Sequence, residues 1–147
     1  MPEDLAGTWG ALLKVHAVLV PRFDRELQET HGLPLTWYDV LLELNAAPDR
    51  RLTMGELGSV AAVSRTRVSR VVDELVQAGL VTREPNPDDG RSAFAALTRA
   101  GRVALRKAAP TYLAAVRREF ADHLTSREAE VLAGALSKVL AASARGR

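Results

Sequence analysis

The chain has 147 residues, 47% of them apolar and 26% charged, with a formal net charge of +2 and no cysteine. That is the composition of a soluble globular domain long enough to bury a core, and it excludes a disulfide framework, a thiolate metal site and a thiol redox sensor. No apolar run approaches the roughly 20 residues that cross a bilayer, and the start MPEDLAGTWG is acidic where a signal peptide would be basic, so a cytoplasmic protein without a membrane partner is expected.

In chain order, the pattern predicts a long first helix over about 4–30, ending at His31-Gly32-Leu33-Pro34. A second helix is expected over about 37–47, with Thr36 as its N-cap, Asp39 as the acidic N3 residue and a Leu35/Val40 staple. Thr53 and Glu56 form a capping box before a short third helix at 54–60. A fourth helix is expected over 64–78, capped by Ser64 and ended by Gly79. Segments 80–84 and 92–97 then read as a two-stranded hairpin around a Pro/Asp/Gly tip at 85–91. Thr98 caps a fifth helix that starts at Arg99. Thr125 and Glu128 repeat the capping box before a sixth helix at about 126–143. Pro21 and Pro110 fall inside predicted helices and are expected to kink or break them.

The fourth helix carries the chemistry. Val68, Val71, Val72, Leu75 and Val76 make an apolar stripe for the core. Ser64, Arg65, Thr66, Arg67, Ser69 and Arg70 stay on the outward N-terminal half. That is the end by which a recognition helix enters a major groove, where arginine and hydroxyl side chains read bases and hold phosphates. Charge follows the same division. Residues 1–60 hold 5 basic and 9 acidic side chains, residues 61–107 hold 9 and 5, and residues 108–147 hold 6 and 4. The basic excess sits where a nucleic-acid footprint would lie.

Plainer roles compete for some of these residues. Arg70 is spaced to pair with Asp73 or Glu74, whereas Arg65 and Arg67 have no acidic residue at helical spacing. Arg91, at the tip, suits a minor groove or a phosphate. It could equally pair with Asp89, which would shape the loop and aim the guanidinium.

The ends of the chain are strongly apolar. Leu12, Leu13, Val15, Val18, Leu19 and Val20 crowd the first helix, and Ala, Leu and Val dominate 100–116 and 131–142. Two packings hide such faces: a dimer with terminal helices crossing a two-fold axis, or a monomer with both ends folded onto its own core. The dimer is the simpler, because one small winged lobe offers little surface to cover both ends.

The segments GLVTRE and NPDDGRSAFAALTRAG, behind a helix ending VVDELVQAG, resemble the MarR family of bacterial transcriptional regulators. The likeness spans nearly the whole chain and is most specific at Asp89-x-Arg91 followed by Leu97-Thr98-x-x-Gly101. It implies a mainly α fold with a small β-hairpin wing, a winged helix-turn-helix with N- and C-terminal dimerisation helices. The corresponding divisions are 1–35 and 99–147 for dimerisation and 36–98 for the DNA-binding lobe. It implies a homodimer on double-stranded DNA at a pseudo-palindromic operator, usually as a repressor released by a small ligand. Two departures reduce positive charge: Gly90 stands where members often carry a wing arginine, and Glu74 where they often carry one in the recognition helix.

Relatives that sense urate or phenolic compounds use a tryptophan of the first helix, an aspartate of the second and arginines near the wing. Trp9, Asp39 and Arg83 are similar to that set. Trp9, His16, Tyr38, Asp39 and Arg83 are therefore the residues expected to hold a small aromatic ligand, with Trp37 and Arg70 nearby. Plainer roles exist here too: capping for Asp39, interface packing for Trp37 and Tyr38, core packing for His16, and a Glu84 or phosphate pair for Arg83. No cofactor is expected. His16, His31 and His123 show no metal spacing, and no nucleophile motif or phosphate-cradling glycine loop is present, so an enzyme is not expected. The remaining alternative is a winged helix used for protein–protein contact, against which the clustered arginines and the arginine-tipped wing speak.

Overall fold

The computed structural model describes residues 2–145. Its elements are α1 (Pro2–His31), α2 (Leu35–Ala46), a tight turn at Pro48–Arg50, β1 (Arg51–Thr53), α3 (Met54–Val60), α4 (Arg65–Gln77), β2 (Val81–Pro85), β3 (Ala93–Leu97), α5 (Arg99–Glu119), a second short turn at Ala121–His123, and α6 (Ser126–Arg145). The chain divides into two compact units, one ending at Tyr112 and the other beginning at Leu113.

The predicted hairpin is present, with Val81 opposite Leu97 and Pro85 opposite Ala93. The sheet also has a third strand that the sequence pattern does not announce. β1 pairs antiparallel with β3, Arg51 opposite Ala96 and Thr53 opposite Phe94, giving the sheet order β1-β3-β2. β1 is three residues long, too short to display the alternation that marks a strand. Arg51 fixes this edge, with its guanidinium 4.2 Å from the centre of the Phe94 ring and 3.3 Å from Glu84 Oε2.

The core of the first unit gathers on α2 and α4. Val40, Leu41 and Leu44 of α2, Val72 and Leu75 of α4, Leu27 of α1 and Leu57 of α3 are all fully buried. Burying side chains of this kind supplies about 1.5–3 kcal/mol apiece before entropy is counted. The apolar stripe of α4 is one residue narrower than expected. Val68, Val71, Val72 and Leu75 face inward, but Val76 is 37% exposed, because the stripe has rotated off the core by the last turn.

The expected caps form where both partners are local. Thr53 Oγ1 accepts from Glu56 N and Glu56 Oε1 from Thr53 N, each at 3.1 Å. Thr125 and Glu128 do the same at 3.0 and 3.1 Å. Gly79, at φ +76, ends α4 with Leu80 N donating to Leu75 O and Gly79 N to Val76 O, a Schellman motif.

The second helix corrects the reading of its start. It begins at Leu35, with Pro34 at the N-cap and no side-chain cap there, so Thr36 is not the cap and Asp39 is not the N3 residue. The orphan N–H of Leu35 donates instead to Asp24 Oδ1 on α1, at 2.9 Å. Ser64 occupies the N-cap of α4 without capping it. Its hydroxyl lies 3.3 Å from that of Thr66. Pro21 and Pro110 break neither α1 nor α5.

Candidate nucleic-acid interface

The helix-turn-helix is α3 and α4 joined by a short turn, with the wing formed by β2, β3 and the loop between them. Ser64, Arg65, Thr66, Arg67, Ser69, Arg70 and Arg91 are all exposed. The arginines differ in what they touch. Arg65 Nη2 donates to Ser59 Oγ at 3.0 Å, which folds it back along α3. Arg67 and Arg70 have no side-chain hydrogen bond or ion pair among the described residues.

The acidic neighbours expected for Arg70 are engaged elsewhere. Asp73 Oδ1 lies 2.7 Å from Arg83 Nη1 on β2. Glu74 Oε1 accepts from Trp37 Nε1 of α2 at 2.9 Å. Both contacts tie α4 to its neighbours and leave Arg70 unneutralised. They also correct the expected pairing of Arg83 with Glu84, whose carboxylate is taken by Arg51.

The wing tip is built from side-chain-to-backbone bonds. Asn86 Oδ1 accepts from Asp88 N, and Asp89 Oδ1 accepts from Arg91 N, each at 3.0 Å. Asp89 therefore shapes the loop through the Arg91 backbone and not through its guanidinium. These are Asx turns, which suit a Pro/Asn/Asp tip. Between α4 and the wing runs an open groove of about 500 Å³, bordered by Met54, Arg65, Ser69, Arg83, Arg91 and Ser92. Three guanidinium groups from the helix, the strand and the tip share its rim.

The residues expected to hold an effector are distributed differently. Trp9 is 61% exposed on α1, and His16 is exposed about two turns further along the same helix. Tyr38 is buried, its ring 4.8 Å from that of Tyr112, which also meets Phe23 edge-on. Tyr38 borders a cavity of about 370 Å³ that it shares with Leu42, Arg102 and Leu105, whereas Arg83 borders the α4–wing groove. Burial, and then the neighbouring Glu43 charge, push the Asp39 carboxyl up to about 6. No group of three or more histidine, aspartate or glutamate side chains suited to a metal ion occurs among the described residues. None of the described helices is long and apolar enough to cross a membrane.

The MarR family model matches residues 31–92. Sco3205, a MarR family transcriptional regulator from Streptomyces coelicolor solved in complex with DNA, is 36% identical, with a TM-score of 0.83 over 91% of this chain and 86% of that one. The chain belongs to the MarR family. AbsC, a MarR family transcriptional regulator from the same organism, is 32% identical with a TM-score of 0.84, over 97% of this chain and 95% of that one. A mutant MarR from E. coli, complexed with operator DNA, shares the fold at 24% identity and a TM-score of 0.79, over 93% of this chain and 96% of that one. No curated protein matches the chain. Membership makes it a transcriptional regulator and not an enzyme.

The MarR signature Leu97-Thr98-x-x-Gly101 has a physical reason here. Thr98 Oγ1 donates to Gly79 O at 2.8 Å and accepts from Gly101 N at 3.0 Å, while Thr98 N donates to Leu80 O at 3.1 Å. A Cβ on Gly101 would collide with the Leu80 carbonyl oxygen and the Leu97 side chain. Thr98 and Gly101 thus lock the end of the wing and the start of α5 against the end of the recognition helix. This sets the distance between α4 and the wing.

Proposed function

We propose that this MarR-family protein is a sequence-specific DNA-binding repressor that acts as a homodimer on a pseudo-palindromic operator. The observation that carries the reading is the pair of exposed, unneutralised arginines Arg67 and Arg70 on α4, the helix whose Arg65 and Ser69 border one groove with the wing arginine Arg91. A helix that presents Ser64, Thr66, Arg67 and Ser69 from its first turns can reach base edges and phosphates, with Arg67 and Arg70 on phosphate, and Arg91 supplies a contact to phosphate or the minor groove. The DNA-bound relative Sco3205 is consistent with this use.

The dimer is supported by the exposed apolar face of α1. Leu5, Trp9 and Leu12 are 65%, 61% and 38% exposed at helical spacing, a stripe that water covers at a cost unless a second copy does. α6, in the other unit, exposes Val131, Val139 and Leu140. Two protomers would place their recognition helices about one helical turn, roughly 10 bp, apart. Sequences selected from random duplexes should be inverted repeats with that spacing. Selection of unrelated single sites would defeat the dimeric reading.

The effector is proposed as a small aromatic or phenolic acid bound at Arg83, which lies on the α4–wing groove while Tyr38 borders a separate cavity, so Trp9, His16, Tyr38, Asp39 and Arg83 do not line one pocket. Its route to release runs through Arg83. The Arg83–Asp73 pair joins β2 to α4, so an acidic ligand that captures Arg83 frees the wing from the recognition helix. Calorimetry with salicylate and urate tests it: binding that weakens operator affinity is expected, and no heat from either compound counts against it.

A further inference from the structure

A second group of arginines lies away from the α4–wing groove. Arg50, in the turn before β1, and Arg99, Arg102 and Arg106, on successive turns of α5, line a cavity of about 640 Å³ with Asp49, Leu97 and Val103. None of the residues assigned to DNA borders it, and its Arg50, Arg102 and Arg106 also line the neighbouring cavity at Tyr38. Four guanidinium groups meet one carboxylate, and Arg50 Nε makes its hydrogen bond to the neutral Asn45 Oδ1, at 3.4 Å.

Arg102 is the unusual member. It is half-buried, and its Nε is buried without a hydrogen-bond partner. A buried donor left unmade is costly, so such atoms in folded proteins commonly mark a ligand or water. The Arg50 charge, then burial, then the Arg106 and Arg99 charges hold the Arg102 guanidinium below its ordinary pKa, the direction that an anion at this place would reverse. Asp49 and Arg50 hold left-handed backbone, φ 55 and 52, a conformation that side chains other than glycine rarely adopt. α5 contributes the positive end of a 21-residue helix at Arg99.

We infer that the Arg50–Arg99–Arg102–Arg106 cavity binds a small, multiply charged oxyanion, such as a phosphorylated or polycarboxylate metabolite. The concavity favours a small anion over a duplex. Guanidinium groups that track DNA stand out from a surface to meet phosphates, whereas Arg102 is half-buried and its unmade donor is out of solvent. Planar guanidinium donors from two segments can each take two oxygens of such an anion.

The test is calorimetry with pyrophosphate and with citrate at a fixed ionic strength of about 0.15 M, where exposed charges are screened. Saturable binding of at least one is expected. Arg102→Gln and Arg106→Gln should each weaken it about tenfold, the loss of one charge-assisted contact. Arg106 is exposed, so its variant carries the test should Arg102→Gln unfold. The double variant Arg67→Ala/Arg91→Ala should bind the anions as wild type does, even when it no longer binds DNA. No saturable heat from either probe overturns the inference. So does binding lost in the Arg67→Ala/Arg91→Ala variant and kept in the Arg102→Gln and Arg106→Gln variants, which would move the anion to the DNA face. A fall in duplex affinity with Arg106→Gln, without any anion binding by wild type, would reassign the cluster to a DNA phosphate.

Discussion

The two arginine groups of this MarR-family protein use one residue type for two kinds of surface. On α4 and the wing tip, Arg67, Arg70 and Arg91 are exposed, and the nearby acids Asp73 and Glu74 are held by Arg83 and Trp37. At the start of α5, four arginines, three of them exposed, line a cavity, and Arg102 buries a donor that has no partner. A count of positive charge therefore does not locate a DNA contact. Presentation does: solvated arginines on an open helix-and-wing face for a polyanionic duplex, and a cavity holding one partly buried, unpartnered guanidinium for a discrete anion.

The largest expected effect disturbs both regions together. Gly101→Ala forces a methyl group into the Leu80 carbonyl oxygen, where backbone must move, and should cost about 2–3 kcal/mol of unfolding free energy as read by denaturant titration. An unchanged midpoint would show that α5 can shift without loosening the wing. Next come the α4 and wing contacts. Arg67→Ala and Arg91→Ala should each lower operator affinity about tenfold or more, roughly 1–3 kcal/mol for a base or phosphate contact. Thermal stability should not change, because neither exposed side chain carries a folding contact.

A smaller effect is set by Asp39. Its folded pKa of about 6 lies above the ordinary 3.8, so the folded state holds the proton more tightly than the unfolded chain. Its ionisation therefore removes stability as pH rises from about 4 through 6, and the loss is complete above 6. Asp39→Asn should raise the melting temperature relative to wild type at pH 7.5 and lose that advantage at pH 4. An equal shift at both pH values would refute burial as the cause. The smallest effect expected is at Asp89. Asp89→Ala removes one loop hydrogen bond to Arg91 N and should weaken operator binding by about 1 kcal/mol while leaving the anion cavity untouched.

Much of this was legible in the residues, and what was legible was local. The boxes Thr53/Glu56 and Thr125/Glu128, the Gly79 stop and the Thr98 cap each join partners within a few positions. The apolar stripe of α4 reveals its buried face by period alone. What escaped depends on distant pairs. Leu35 is capped by Asp24 from another helix, Asp73 is held by Arg83 of β2, and Glu74 by Trp37 of α2. β1 is defined by its partner β3 and not by its own three residues. The α5 cavity needed Arg50 brought beside arginines far along the chain, and each looks on its own like an ordinary solvated charge.

The central claim is that the duplex is held by the arginines of α4 and the wing. Its most direct test is the salt dependence of operator affinity, measured by fluorescence anisotropy for wild type, Arg67→Ala, Arg91→Ala and Arg106→Gln. Each neutralised phosphate contributes about −0.9 to the slope of log K against log salt. If both arginines contact phosphate in both protomers, Arg67→Ala and Arg91→Ala should each flatten the slope by about two, while Arg106→Gln leaves it unchanged. A slope that is unmoved by the first two and flattened by Arg106→Gln would contradict the account.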